Sequence, residues 1–281
     1  NIGGAQNTAV GRAALKLSES GAYNVGVGDT ALYNNTTADY NVAVGTSALF
    51  LNTTGYNNVA IGYQSMYNNA TGETKSTAVG WKSLFTQSTG NSNVAVGDRA
   101  LYTSNGEANT GVGYVAGYDI TSGDNNLCLG NFAGRSGSPG GTLTGADSQV
   151  CIGNGSIANA HIQVAWSVAS DKRDKTDVED LDLGLEFVNQ LTPVTYRWDK
   201  RSNYIDKLDP TVDLNKIIPD GTHKEEQLDV GFLAQDVRDI ESSYGYKIKE
   251  KTNLTTSITS DGKRYNTKYS KFVPMLVKAV Q

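Results

Sequence analysis

The chain has 281 residues, 29 of them acidic and 24 Lys or Arg, which gives a formal net charge of −5 at pH 7. This balance provides no basic field for nucleic acid or an anionic membrane surface. No apolar run approaches the roughly 20 residues that a membrane helix needs, and the chain does not open with a signal segment.

The composition divides the chain into two regions. Residues 1–155 hold 26 of the 31 glycines but only 15 of the 53 charged residues, whereas residues 156–281 hold the other 38. A shift of this size marks a domain boundary. We predict a repetitive domain at 1–157, a linker at 158–169 and a second domain at 170–281. Because the chain starts inside a repeat and stops within a predicted helix, we expect the natural protein to extend beyond both ends.

A glycine-anchored repeat fills the first region. The stretch Asn41–Leu49 is one of nine copies of this repeat, and the spacing between anchors is 16 to 18 residues until a last gap of 23. In each copy apolar and small residues alternate, as in Val42-Ala43-Val44, which is the period of a strand. The glycine then permits a turn that a side chain would resist. The anchors are Gly11, Gly28, Gly45, Gly62, Gly80, Gly97, Gly113, Gly130 and Gly153.

One such unit cannot bury its own apolar face, but stacked units form a continuous narrow core. The repeat therefore predicts a mainly β fold, a β-solenoid or β-roll with one unit of about 17 residues per rung. Since each rung holds few large aliphatic residues, a lone chain would bury little, and we favour a homotrimeric fibre. Whether each chain coils alone or all three interleave stays open.

Two features of the repeat resemble functional motifs. The stretch Gly26–Ala31 imitates the dinucleotide fingerprint, but that motif requires a following helix, and here it falls on a recurrent turn. Cys128 and Cys151 stand two residues before an anchor glycine, where alanine stands in other copies. We interpret them as small apolar fillers, with a disulfide between neighbouring rungs as the alternative. The chain has only two histidines, so we expect no metal site and no cofactor.

Tyrosines recur at the polar tips of the repeats, among Asn and Thr. Aromatic rings stack on sugars and amides bond their hydroxyls, so these tips are candidates for binding a host-surface glycan. We favour the alternative that the rings pack between chains and form a ladder along the axis. The residues are Tyr23, Tyr33, Tyr40, Tyr56, Tyr67 and Tyr102.

The second region has the pattern of a small α+β domain. Apolar residues at helical spacing predict an amphipathic helix over about 183–190, and Val194–Trp198 is typical of a strand. The charged stretch 199–227 predicts a long surface excursion. The remaining predicted elements are a strand at Asp229–Leu233, a helix at Ala234–Glu241, a hairpin of 246–255 with 257–269 that turns at Asp261-Gly262, and a helix beginning near Pro274.

The two regions meet at the polar stretch Ser170–Lys175. A serine and a lysine five residues apart can act as a nucleophile and its base. Taken alone, the same spacing is more often a charged linker with a helix cap.

Four blocks in order resemble the peptidase S74 family, the self-cleaving intramolecular chaperone domain found at the C-termini of phage tail spikes, tail fibres and endosialidases. The resemblance spans roughly residues 169–281, and its last block leads into a coiled coil in the family. The repeats look, more loosely, like the β-roll heads of trimeric adhesins and the shafts of phage fibres. The blocks are Ser170–Asp177, Leu191–Trp198, Gly231–Val237, and Tyr269 with Val273–Gln281.

The resemblance implies that Ser170 is the nucleophile, Lys175 its base, and the bond between Ala169 and Ser170 the cleavage site. A lysine can take the serine proton only where burial or a nearby cation favours its neutral form. Arg173, or lysines of other chains, could supply that cation. Asp174 departs from the family's pattern, which often has an aliphatic residue there, and could pair with Lys175. Other motif positions are occupied by Asp171, Arg173, Asp177 and Gln235.

The resemblance further implies a homotrimer in which the C-terminal domain aligns three chains, lets the fibre fold and is then released. Such a protein would be an extracellular virion component, joined to upstream fibre or virion proteins and facing a host receptor. The alternative is a structural or adhesive trimer that is not cleaved and keeps the C-terminal domain as a cap.

Overall fold

The computed structural model describes residues 4–69, 74–209 and 212–281. Its contacts divide the chain into two compact units, one of 1–156 with 201–217 and the other of 157–200 with 218–281. The strands of the repeat unit are β1 (Thr8–Val10), β2 (Val25–Val27), β3 (Val42–Val44), β4 (Val59–Ile61), β5 (Thr77–Val79), β6 (Val94–Val96), β7 (Thr110–Val112), β8 (Leu127–Leu129) and β9 (Val150–Ile152). The elements of the second unit are α1 (Leu185–Gln190), β10 (Val194–Tyr196), β11 (Asp229–Gly231), α2 (Ala234–Ser243), β12 (Thr256–Ile258), β13 (Tyr265–Thr267) and α3 (Phe272–Val280).

The strands β1 to β9 form one parallel sheet whose spatial order is the order of the chain. Each strand pairs with the equivalent residues of the next repeat, so that Ala43 lies opposite Ala60. Parallel neighbours need a crossover connection, and here that connection is the rest of each rung. The predicted fold class is confirmed: a β-solenoid of about 17 residues per turn precedes a small region of sheets and helices that ends in α3. Among the described residues, no helix has both the length and the apolar character needed to cross a membrane.

The core of the solenoid is narrow and made of small residues. The middle residue of each inner strand points inward, and Ala43, Ala60 and Ala78 are fully buried there. Cys128 and Cys151 take the same position in β8 and β9, lie opposite one another, and are both free and buried. Burial raises the pKa of the Cys128 thiol to about 12. The cysteines are therefore core fillers, as predicted, and no disulfide joins them.

The anchor glycines have a backbone that only glycine adopts readily. Gly28 has a φ of +138°, and a Cβ placed on it would lie 2.5 Å from the carbonyl oxygen of Gly45 in the next rung. A turn, not a helix, follows each of these glycines. The stretch Gly26–Ala31 therefore lacks the helix that a dinucleotide site requires.

The turn after each of the first six anchor glycines contains two left-handed residues that are not glycine. In the third rung these are Ser47 and Leu49, with φ of 56° and 51°. Each such residue costs about 1–2 kcal/mol. Leu49 is fully buried and its amide donates to the Ser65 carbonyl at 3.0 Å, so burial and rung-to-rung hydrogen bonds offset the strain.

A buried asparagine ladder runs beside the sheet. Asn41 donates to the Gly55 carbonyl at 2.8 Å, and its side-chain oxygen accepts from the backbone and side-chain amides of Asn58, both at 3.0 Å. In the fifth rung Ser76 takes this position, and its hydroxyl accepts from the Asn93 amide at 3.1 Å. The side chains thus satisfy backbone donors that the turns leave without partners.

We expect Asn41→Ala to lower the free energy of unfolding by about 3 kcal/mol, because each buried donor left without an acceptor costs about 1–3 kcal/mol. Asn41→Ser should cost less, since a serine already serves at position 76. Thermal unfolding of the two variants tests this. Equal midpoints for the alanine and serine variants would contradict the role assigned to the ladder.

Six aromatic rings stack along the axis on another edge of the rungs. Their centroids are 4.9 to 5.4 Å apart, and Lys16 and Arg135 lie over the first and last rings. Tyr23 and Tyr40 form a separate stacked pair at 4.9 Å. The ladder expected along the axis is therefore present, while packing of these rings between chains stays a prediction. The six rings are Tyr33, Phe50, Tyr67, Phe85, Tyr102 and Tyr118.

Part of the predicted surface excursion packs within the repeat unit. Residues 201–217 cluster with the solenoid, and Ser202 and Leu214 are almost completely buried. A Cβ on Gly137 would lie 2.7 Å from the Ser202 Cβ. The excursion is therefore not wholly a surface loop.

The second unit is built around a small core of Leu183, Phe187, Val237, Phe272 and Met275. The strands β10 and β11 are antiparallel, as are β12 and β13. The predicted helices and strands are present with shifted ends. The prediction that the first strand of the hairpin covers 246–255 is wrong, since β12 starts only at Thr256. The expected Asp261-Gly262 turn does lie in the loop between β12 and β13.

A buried carboxylate joins α2 to this hairpin. Glu241 is fully buried and accepts from the backbone amides and hydroxyls of Thr255 and Thr256 and from the Leu254 amide. Because its five donors come from three consecutive residues, it fixes the chain just where β12 begins.

We expect Glu241→Gln to lower the free energy of unfolding by about 2–3 kcal/mol, since a donor NH₂ would face donors. Glu250 is the matched control: it is an exposed partner of Lys247, and Glu250→Gln should cost at most about 1 kcal/mol. Amide hydrogen exchange at Thr255 and Thr256 checks this. Unchanged protection in Glu241→Gln would contradict the prediction.

Candidate functional site

The junction between the two compositional regions is an exposed segment without helix or strand that ends in a tight turn. Every residue from 156 to 180 is exposed, and Lys172–Asp174 form one turn of 3-10 helix. Asp171 caps this turn, because its carboxylate accepts from the Arg173 amide at 2.9 Å. The capped turn reverses the chain and brings the two ends of the motif together.

The turn places the predicted nucleophile and base in contact. Lys175 Nζ lies 2.6 Å from Ser170 Oγ and donates a hydrogen bond to it. This distance is within the range over which a base can take a proton from a hydroxyl. If the amine is neutral, the same contact reverses, with Ser170 as the donor.

Arg173 is engaged elsewhere. Its guanidinium pairs with the Asp171 carboxylate through Nη2–Oδ2 at 2.6 Å and Nε–Oδ1 at 3.1 Å. The side-chain hydrogen bond from Arg173 lowers the pKa of Asp171, and the same pair raises the pKa of Arg173. Asp171 thus balances the charge that was expected to act on Lys175, and both residues stabilise the shape of the turn.

The remaining motif residues lie apart from this contact. Asp174 ends the 3-10 turn, and no ion pair within the described residues joins it to Lys175. Asp177 follows with a left-handed φ of 52°. Gln235 is exposed in the first turn of α2, and across 4–69, 74–209 and 212–281 no hydrogen bond links it to Ser170 or Lys175.

The second, third and fourth motif blocks contact one another. The β10 strand of the second block pairs with β11 of the third, where Val194 lies opposite Gly231. The Phe232 amide donates to Tyr269 Oη at 3.1 Å, and a Cβ on Gly231 would lie 2.2 Å from that oxygen. These residues therefore build the scaffold of the domain. Sequence reasoning recognised the blocks but had no signal for this contact.

One comparison with known proteins matches part of the second region. The fold defines a repetitive β-solenoid followed by a small α+β domain. Within that domain, residues 170–246 match the family model of peptidase S74, described as chaperone of endosialidase. The match begins at Ser170, so the resemblance to this family is confirmed for this part of the chain, and the family is known for self-cleavage. No curated protein and no solved structure matches the chain.

Proposed function

We propose that this chain is a component of a phage tail fibre or tail spike. In this proposal the C-terminal domain trimerises and registers the β-solenoid, and cleavage between Ala169 and Ser170 then releases it. The main support is the 2.6 Å contact between Lys175 Nζ and Ser170 Oγ, located where the S74 match begins.

The chemistry follows from that contact. Neutral Lys175 takes the proton of Ser170 Oγ, which attacks the carbonyl carbon of Ala169. The C–N bond between the two residues breaks as an ester C–O bond forms, and Lys175 passes the proton to the departing nitrogen. Water then hydrolyses the ester, leaving a carboxylate on Ala169 and a free amino terminus on Ser170.

A lysine acts as a base only where burial or a nearby cation favours its neutral form, and Ser170 and Lys175 are both exposed in the single chain. Assembly must therefore supply the environment that neutralises the base. A trimer does this by burying the turn and by bringing the lysines of three chains close together. Cleavage would then follow assembly and not precede it.

The outer face of the solenoid supports a trimer. On β2 to β9 the residues beside the buried middle one point outward, and they are mostly valine, isoleucine or leucine. Across nine strands this face extends over roughly 38 Å at about 4.8 Å per strand. A contiguous apolar surface of this length marks an interface. Its exposed members are Val10, Ile61, Val94, Val96, Val112, Val150 and Ile152.

The repeat explains why such a fibre needs a chaperone. A slip of one rung between chains preserves most contacts, so three repetitive chains have many nearly equivalent registers. A non-repetitive trimeric domain sets one register before the rungs assemble. Its removal afterwards leaves a fibre that cannot refold by the same route and is kinetically trapped.

Denaturing electrophoresis of freshly made protein, with N-terminal sequencing of the small fragment, tests the proposal. The expected result is a fragment beginning Ser170-Asp171 that is lost in Ser170→Ala. An intact band that persists on incubation of a folded trimer would contradict cleavage and favour the alternative, an uncleaved adhesive or structural trimer with a retained cap.

Host attachment belongs to the same proposal. A shallow cavity of about 300 Å³ between neighbouring tips is lined by Tyr40, Tyr56, Asp39 and Asn57, among others. A ring beside amide and carboxylate groups suits a sugar, and a host glycan is therefore the receptor class that we propose.

A further inference from the structure

The segment immediately before the scissile bond has the pattern of a strand. We call residues Ile157–Ala169 the neck segment. Every one of its residues is exposed. Apolar residues occupy every second position from 162 to 168, and their exposed fractions are 51, 72, 76 and 84% for Ile162, Val164, Trp166 and Val168.

A flexible linker has no reason to repeat large apolar residues at this period. Alternation of this kind is typical of a strand with one buried face. Between them stand Gln163, Ala165 and Ser167, which are small or polar. None of the strand pairs in the described residues includes the neck segment, and its apolar side chains are exposed, so neither its backbone nor its apolar face has a partner among those residues.

We propose that three copies of the neck segment pack on one another, with Val164, Trp166 and Val168 of each chain against those of the other two. The occupant of the apolar face is thus a second copy of this chain. The inference rests on the trimer of the proposed function and names a surface that holds it together.

The absence of charged residues in the neck segment favours a second copy of this chain as the partner. The neck segment contains no Asp, Glu, Lys or Arg in 13 residues. In a parallel, in-register bundle each residue faces its own copy, and like charges placed opposite one another would be destabilising. The flanking Asp171, Lys172 and Arg173 end this uncharged run just beyond the scissile bond. A partner of different sequence would not require such an absence.

The position of the neck segment has a consequence for assembly. It lies on the shaft side of the bond between Ala169 and Ser170, so it stays with the solenoid after cleavage. The contact formed while the C-terminal domain is attached would therefore persist and keep the three shafts together after that domain leaves.

Matched variants, each with one introduced cysteine, test this packing in the full chain. Val164→Cys should give a covalent dimer on mild oxidation, seen by non-reducing denaturing electrophoresis, whereas Gln163→Cys should not. The same contrast is expected between Val168→Cys and Ser167→Cys. This second pair is the alternative test if Val164→Cys fails to fold. The native thiols are buried, and the pKa of Cys128 is raised to about 12, so they should not react.

Cross-linking from both faces or from neither would overturn the inference, as would a wild-type chain that is monomeric by light scattering. A cross-link within one chain would assign the face to the chain's own solenoid and would also overturn it. The same gel reports cleavage separately. If Val164→Cys cross-links while no Ser170 fragment forms, the neck contact stands and the proposed autoproteolysis fails.

Discussion

Cleavage before Ser170 should slow at least ~10²-fold when Lys175 is replaced by methionine, because positioned bases contribute about 10²–10⁴-fold. Methionine keeps an unbranched apolar stem of similar reach but has no amine to take the proton of Ser170 Oγ, which now lies 2.6 Å from Lys175 Nζ. The measurement is the appearance of the fragment beginning at Ser170, followed over time after the trimer has formed.

Two neighbours in the same turn are matched controls. Lys172→Met removes an exposed amine that has no hydrogen bond to Ser170 among the described residues, and it should cleave at the wild-type rate. Asp174→Asn should also leave the rate unchanged, since Asp174 does not pair with Lys175 there. Equal rates for Lys175→Met and wild type in a confirmed trimer would remove Lys175 as the base.

Unlike both controls, Arg173→Gln is expected to slow cleavage before Ser170. It removes the ion pair with Asp171 that stabilises the turn, although the backbone bond from residue 173 to the Asp171 carboxylate can remain. The structure pairs Arg173 with Asp171, so we predict that Arg173 positions the turn, whereas sequence reasoning treated it as a cation beside Lys175. The spacing of the motif could not show which of its charges pair, because that depends on how the turn folds back.

The repeat was the most predictable part of the chain. A constant period with alternating residues such as Val42-Ala43-Val44 specifies a rung, and a rung with no internal core must stack. The left-handed Leu49 was not predictable, since an isolated leucine avoids that conformation, and its burial and its hydrogen bond to the next rung offset the strain. Likewise, nothing local in the charged stretch 199–227 indicated that Ser202 would be buried in the repeat unit.

The largest effect on stability should follow from adding one methyl group to an inner anchor glycine. Gly80 has a φ of +137°, and a Cβ there would lie 2.3 Å from the Gly97 carbonyl oxygen, a backbone atom that cannot rotate away. Conformational strain alone costs about 1–2 kcal/mol. Relief of the clash must also lengthen the bond from the Gly97 amide to the Val79 carbonyl, now 2.7 Å. We therefore expect Gly80→Ala to cost more than about 4 kcal/mol, a range that point mutations seldom reach.

A comparison of Gly80→Ala with Gly130→Ala distinguishes the steric clash of the added Cβ from the strain of the left-handed backbone. Gly130 is an anchor of the same series with a φ of +102°, but its added Cβ would come no closer than 3.3 Å to another atom, the Cα of Gly153. It should therefore lose mainly the 1–2 kcal/mol of conformational strain. Thermal midpoints and folded yields of the two variants decide the point, with the Ser170→Ala chain as the common background so that cleavage does not affect either. If both midpoints fall equally, rung-to-rung contact is not what requires glycine at these positions, and the backbone conformation alone accounts for the repeat's most regular residue.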